Sequence, residues 1–293
     1  MKLSVVIPCY NAAATISVQL EALAIQQWHE PWEVVVVNNR STDESMAIAE
    51  RYRPKFPHFR VVEALERQSR PYARNVGVRA AAAQAVAFCD ADDEVAPGWI
   101  AAMGEALTNQ CDFVACSIDL LKLNPPWLGA MRSHAQTTGL QKIWYPPYLF
   151  HAGGGTLGVR RMVHDAIGGF DESLAVLEDT DYCFRIQLAG FQLQFVKDAV
   201  MHVRIRDSWS ALFNQSRMWA EYNVRVYRKY RKYSGTFVRQ QWRRYVSDWI
   251  NMIRQLPNLR QRRAWAPFIW TLGWQIGLLQ GSIKYRVEPV PFS

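Results

Sequence analysis

The chain reads as an α/β protein, with an open, mostly parallel sheet flanked by helices and a basic, Trp-rich helical extension behind it. Three features predict this. Short β-branched runs alternate with segments of helical spacing through the first two hundred residues, the order expected of strand–helix–strand units. One of these runs, Val34-Val35-Val36-Val37, is apolar without alternation, as a strand buried on both faces must be. Finally, 49% of the 293 residues are apolar and 20% are charged, which is enough to fill a sizeable core.

The elements run in order. Leu3 to Pro8 reads as a strand, closed by a proline that cannot donate to a ladder. Ala13 to Gln26 has helical spacing, with Ile16, Leu20, Leu23 and Ala24 on one face. Trp32 to Val37 is the second strand. Ser41-Thr42-Asp43-Glu44 has the form of a capping box and predicts a helix from there towards Tyr52. Phe59 to Val62 is a third, weaker strand, Pro71 to Ala83 a helix, and Ala85 to Cys89 the strand before Asp90-Ala91-Asp92-Asp93. Pro97 begins the next periodic segment, so the three aspartates sit on a turn, and extended alternation would put Asp90 and Asp92 on one side. Cys111 to Ile118 reads as a strand. Asn124-Pro125-Pro126 and Tyr145-Pro146-Pro147 interrupt the chain beyond it, so 120–150 is expected to be irregular and to line a substrate entrance. Asp179 to Ala189 is helical and closed by Gly190.

Ligands of such sheets bind beyond the carboxyl ends of the strands. Three loops therefore converge on one edge: Pro8 to Asn11, Asn38 to Ser41, and Asp90 to Asp93. Their polar groups suit a nucleotide and its metal, and carboxylates two apart suit a hard divalent cation. A solvated acidic turn is the duller reading of Asp90 to Asp93. No GxGxxG follows the first strand and no GxxxxGK[ST] occurs, which disfavours dinucleotide and P-loop chemistry.

Charge divides the chain. Residues 1–200 carry 17 Lys/Arg against 22 Asp/Glu, and residues 201–293 carry 17 against 4, with seven of the 12 tryptophans. The expected division is a domain over 1–205 and a basic aromatic region over 206–293. Trp219, Tyr222, Val226 and Tyr230 recur at helical spacing among Arg225, Arg228, Lys229, Arg231 and Lys232; Arg239, Arg243 and Arg244 come next with Trp242, Tyr245 and Trp249. Amphipathic helices of this kind suit an anionic membrane surface. Ala264 to Ile283 approaches spanning length, but Pro267, Gly273, Gly277 and Gly281 favour an interfacial or packed helix. No nucleic-acid motif accompanies the charge, so nucleic acid is not expected as a partner. The five scattered cysteines are expected to be reduced. Met1-Lys2 and the short run to Pro8 do not make a leader, so a cytoplasmic location, peripheral on the inner membrane face, is expected.

Six segments complete the pattern. Val5 to Asn11, Val36 to Asp43, Ala73-Arg74-Asn75-Val76-Gly77, Phe88 to Asp93, Gly168-Gly169-Phe170-Asp171-Glu172 and Glu178-Asp179-Thr180-Asp181 succeed one another in sequence. In kind and order they resemble the family 2 glycosyltransferases of the GT-A fold, metal-dependent inverting enzymes that use nucleotide-sugar donors. That resemblance implies a Mg²⁺ or Mn²⁺ ion on Asp92, with Asp90 at the ribose side. It implies Asp179 as general base, with Glu178 the nearest substitute. It also makes His202 a third metal ligand or phosphate contact. Pro8, Tyr10, Asn11, Asn39, Ser41, Arg74, Asn75, Asp90, Gly154, Gly155 and Glu178 fall where the nucleotide-sugar would bind. The acceptor implied is a hydroxyl of a glycan or lipid-linked molecule. Asn38 and Arg40 depart from the family, which usually carries an acidic residue and a glycine there. A catalytically silent binding module and a nucleotidyltransferase are the competing readings; the latter lacks its Gly-rich phosphate loop.

Overall fold

The structure, a computed structural model, describes residues 1–129, 135–233, 241–254, 256, 260 and 264–288. In chain order its elements are β1 (Leu3–Cys9), α1 (Ile16–Ala24), β2 (Trp32–Asn38), α2 (Ser45–Arg51), β3 (Phe59–Glu63), α3 (Arg70–Ala80), β4 (Ala85–Phe88), β5 (Glu94–Val95) and α4 (Trp99–Glu105). Next come β6 (Phe113–Asp119), α5 (Pro126–Gly129), β7 (Gln141–Lys142), β8 (Phe150–His151), β9 (Leu157–Arg160), α6 (Arg161–Ala166), α7 (Glu178–Leu188) and β10 (Gln194–His202). The last three helices are α8 (Trp209–Tyr230), α9 (Gln241–Arg254) and α10 (Trp265–Tyr285).

Eight strands form one sheet in the order β3-β2-β1-β4-β9-β6-β10-β5. The pairs β3–β2, β2–β1, β1–β4 and β6–β10 are parallel; β9 runs antiparallel between β4 and β6, and β5 antiparallel to β10. Val34 to Val37 are fully buried, with Val34 and Val36 packed on one face of the sheet and Val35 and Val37 on the other. Because β1, β2 and β4 are parallel, their carboxyl ends, at Cys9, Asn38 and Phe88, lie along one edge of the sheet.

Two sequence expectations need correction. The helix after Ser41 starts only at Ser45. Ser41 Oγ turns to Cys9 O (3.4 Å) and accepts from Asn11 N (3.2 Å), while Asp43 Oδ1 accepts from Ser45 N (3.1 Å). Tertiary partners thus take the hydroxyl that would have capped the helix. The acidic segment is also not extended. Asp93 N reaches Asp90 O (3.4 Å), so the chain turns and draws all three carboxylates to one place.

Among the described residues, 120–150 holds the four-residue α5, a single 3-10 turn over Ala135–Thr137, and two-residue strands, β7 and β8, that pair with each other. The five cysteines are free and buried.

The chain divides into two compact units. One comprises 1–124, 133–141 and 150–204, and the other 125–132, 142–149 and 205–293. In the second unit α8 and α10 pack along their lengths. Gly273, Gly277 and Gly281 recur every fourth residue on α10, and a Cβ at each would collide with α8 at Ser216 and Phe213 O, Arg217 O, and Glu221 O respectively. The glycines that make α10 a poor membrane span are therefore a close-packing seam. The aromatic stripe of α8 packs largely inward: Val226 and Tyr230 are buried, Trp219 and Tyr222 are half-buried, and Trp219 meets Trp270 edge to face at 5.6 Å. Arg239 and the side chain of Trp242 lie outside the described residues.

Candidate active site

The site is built on one buried cation. Arg74, on α3, is 1% exposed, and its guanidinium spans two elements: Nη2 donates to Asp90 Oδ1 and Nη1 to Glu178 Oε1, both at 2.8 Å. Burial would push this guanidinium's pKa down, but Asp90, Glu178 and Asp179 hold it above its ordinary value. The reverse holds for Glu178: burial and Asp179 push it up, and Arg74 opposes them. Phe170 lies beneath the guanidinium at 5.5 Å, closing the pocket with an aromatic face.

Gly154 and Gly155 complete the frame. A Cβ on Gly154 would stand 2.5–2.8 Å from the Arg74 guanidinium, and one on Gly155 2.7–2.8 Å from the Asp90 carboxylate. Only glycine lets this backbone lie against both groups. Gly154 N donates to Asp179 Oδ2 at 2.9 Å, and Asp179 Oδ1 accepts from Thr180 N at 2.7 Å. Asp179 thus sits in the first turn of α7, where the helix dipole favours a negative charge. His151 stands behind it, with Nδ1 3.3 Å from Thr180 Oγ1, and burial holds its pKa down at about 4 against the pull of Asp179.

Asp90, Asp92 and Asp93 offer carboxylate oxygens within 4.8 Å of one another. Asp93 is nearly buried; burial and the charges of Asp92 and Asp90 raise its pKa well above the ordinary value. Three mutually repelling oxygen donors, two of them part-exposed, suit a hard divalent cation. Two residues not singled out from the sequence hold the turn. Arg204 donates from N to Asp93 Oδ1 (2.9 Å) and from Nε to Asp92 O (3.2 Å). Gln19, fully buried on α1, donates to Asp90 O (3.4 Å) and accepts from Val95 N (2.9 Å).

His202 is not one of this group of three. Its Nδ1 lies 2.7 Å from Asp119 Oδ2 at the end of the adjacent strand β6, a pairing that fixes the ring and engages Nδ1 rather than Nε2.

The loops after β1 and β2 are fastened together. Asn11 Oδ1 accepts from Thr42 N (2.8 Å), and Ser41 N donates to Asn38 Oδ1 (2.9 Å). Asn39 is nearly buried; its amide donates to Ala64 O and Arg67 O and accepts from Ser69 N. Asn75 similarly donates to Phe170 O and Glu172 Oε1 and accepts from Phe170 N. Asn39 and Asn75 thus shape the site by holding its backbone. Pro8 is part of β1, and Tyr10 is 47% exposed at the strand edge. Glu63, the last residue of β3 and in register with Asn38, accepts from Asn38 Nδ2 at 2.8 Å, so a carboxylate from the neighbouring strand stands beside Asn38.

Residues 4–168 match the family model described as Glycosyl transferase family 2. The chain belongs to that family. Relatives within it include the uncharacterized glycosyltransferase YibD of Escherichia coli, 34% identical over 142 residues, 47% of this chain and 41% of the relative. The poly(ribitol-phosphate) β-N-acetylglucosaminyltransferase TarS of Staphylococcus aureus is 37% identical over 97 residues, 32% of this chain and 17% of the relative. The chain thus spans less than half the length of these two family members.

Among solved structures of the GT-A fold, the mannosyltransferase PcManGT of Pyrobaculum calidifontis in complex with GDP-Man and Mn²⁺ has a TM-score of 0.64 at 21% identity, covering 97% of this chain and 86% of its own. TarS 1–349 in complex with UDP-GlcNAc has a TM-score of 0.58 at 18% identity, covering 98% and 93%. The mostly parallel sheet with flanking helices is the family's GT-A fold.

Proposed function

We propose that the protein transfers a sugar from a nucleoside-diphosphate donor to a hydroxyl of a glycan or lipid-linked acceptor, with inversion and in a single displacement. The observation that carries this reading is the frame around Arg74, which ties the acidic turn (through Asp90) to the Glu178-Asp179 turn (through Glu178). The donor-binding carboxylates and the base are thereby held as one piece. The nucleotide-sugars and Mn²⁺ in complex with the structural neighbours support the donor class.

Asp92, with Asp90 and Asp93 beside it, would hold Mg²⁺ or Mn²⁺, and His202 Nε2 would be the further ligand or phosphate contact. Such an ion, when bound, neutralises charge that builds on the departing diphosphate. Asp179 takes the acceptor's hydroxyl proton as that oxygen bonds to the anomeric carbon, while the carbon–oxygen bond to the diphosphate breaks and the pair leaves with it. Gly154 N and the α7 dipole orient and stabilise the Asp179 carboxylate. Tyr10, Asn11 and Ser41 form the nucleotide side, shaped by Asn39 and Asn75. Polysaccharide assembly on the cytoplasmic face of a membrane, reached by peripheral attachment through 206–293, is the setting proposed. The described residues of 120–150 are proposed to line a substrate entrance.

The test is a thermal-shift and transfer assay over UDP- and GDP-sugars with and without Mn²⁺. We expect one nucleotide to stabilise the protein only with metal. Asp179→Asn should keep that shift while losing turnover by at least about a hundredfold. A protein that binds the donor with no turnover on any acceptor class would instead be a binding module.

A further inference from the structure

Helix α9 carries two apolar faces. On one, Tyr245 and Met252 are buried, and Tyr245 Oη donates to Gln275 O of α10 at 3.1 Å. On the other, Val246, Ile250 and Ile253 are 52%, 44% and 56% exposed. Their spacing of four and three residues aligns them in a stripe about 60° wide. Half-buried Trp249, edge-on to Tyr245 at 6.4 Å, falls between the two faces. Exposed Arg243 and Arg254 fall along the stripe's far border, and exposed Arg244, Ser247 and Asn251 form the polar side.

Water is a poor neighbour for three aligned aliphatic side chains, and such a patch marks an interaction surface. Charge selects the occupant. Residues 201–293 carry 17 Lys/Arg against 4 Asp/Glu, so a second copy would bring like charge against like. A nucleic acid would answer the arginines and leave the aliphatic stripe in water. An anionic bilayer surface satisfies both, taking hydrocarbon into the acyl boundary and guanidinium groups at lipid phosphates. Among the described residues no helix is long and apolar enough to cross a membrane.

We infer that α9 lies in the plane of an anionic membrane surface, seating Val246, Ile250 and Ile253 below the headgroups with Arg243 and Arg254 on the phosphates. The inference rests on the peripheral-attachment reading above and narrows it to one face of one helix. The stripe of α8 has no such role, because it packs largely inward.

The experiment is co-sedimentation of the full chain with vesicles of phosphatidylcholine and phosphatidylglycerol in equal parts, and with phosphatidylcholine alone, at low salt. Wild type should sediment with the anionic vesicles and remain largely in solution with the neutral ones. Ile250→Ser/Ile253→Ser should weaken anionic-vesicle binding by roughly tenfold. Arg243→Gln/Arg254→Gln should reduce it and flatten its salt dependence. Ile25→Ser, at an exposed isoleucine just beyond α1, should leave vesicle binding unchanged. Absence of binding to anionic vesicles overturns the inference. So does binding that survives the isoleucine pair, or loss of self-association or of duplex-DNA binding as the sole effect of that pair. A donor-dependent thermal shift on the same samples separates the two readings: an intact shift without vesicle binding sinks only this inference, and vesicle binding without any shift sinks only the donor reading.

Discussion

Arg74 Nη1 and Glu178 Oε1 meet at 2.8 Å with almost no water around either side chain, across 104 residues of sequence. A buried pair of this kind gives little net stability when intact, because desolvation consumes most of the Coulomb gain. Its removal is another matter. Arg74→Ala leaves Glu178 buried without its cation and should cost about 3–5 kcal/mol, read as a fall in the urea midpoint. Arg74→Lys should recover only part of that, since one ammonium replaces a two-pronged fork.

The glycine run offers a graded comparison. Gly154→Ala drives a methyl into the Arg74 guanidinium and Gly155→Ala into the Asp90 carboxylate, whereas at Gly153 the nearest atom to a new Cβ is 3.9 Å away. We expect Gly153→Ala to be within about 0.5 kcal/mol of wild type. Each of the other two should lower stability by about 1–3 kcal/mol and weaken the metal-dependent donor shift. Chemical denaturation and thermal shift of the three variants check this.

Removal of metal should abolish the nucleotide-induced thermal shift without unfolding the protein, since the acidic turn is already held by Arg204 and Gln19. Asp92→Asn should behave as the chelated wild type does, with an unchanged circular dichroism spectrum. Loss of the folded spectrum on chelation would show instead that the turn needs the ion as a structural part.

Acid should destabilise the fold through His164. Its Nδ1 lies 2.9 Å from Tyr182 Oη in the core, and burial holds its pKa at about 4 against an ordinary 6.5. The unfolded chain therefore takes up a proton near pH 6.5 that the folded protein refuses until about pH 4. Stability is full above that window and falls through it, by roughly 3 kcal/mol. His151 acts in the same direction. His164→Gln should flatten the slope of unfolding free energy between pH 6.5 and 4, measured by urea titration at each pH.

Legibility in the sequence tracks the range of the interactions. Strands β1, β2 and β4 are readable because an apolar run and its breaker are local, and the clustering of Asp90, Asp92 and Asp93 is readable because the three follow directly on the end of β4. Arg204 and Gln19 are not, because each meets the acidic turn from more than 70 residues away and looks locally like any arginine or buried helix glutamine. The Ser41 capping box misleads because a local motif loses its hydroxyl to Cys9 and Asn11. Asn39 and Asn75 fall in the right region, though a motif cannot say whether an amide faces a ligand or fastens a loop. β5 is too short, at two residues, to leave a pattern.

Strand β9 has a consequence for how the chain comes to be folded. It is encoded after β6 yet sits between β4 and β6, and it is the partner that each of them lacks. A nascent chain that has emerged through β6 carries one open edge on β4 and two on β6; Leu157–Arg160 closes the two that face each other, and the far edge of β6 waits for β10. Such edges invite pairing between neighbouring chains on a polysome. The first half of this protein is thus expected to need shelter during synthesis, and a truncation that ends after β6 should aggregate where one that ends after β10 does not.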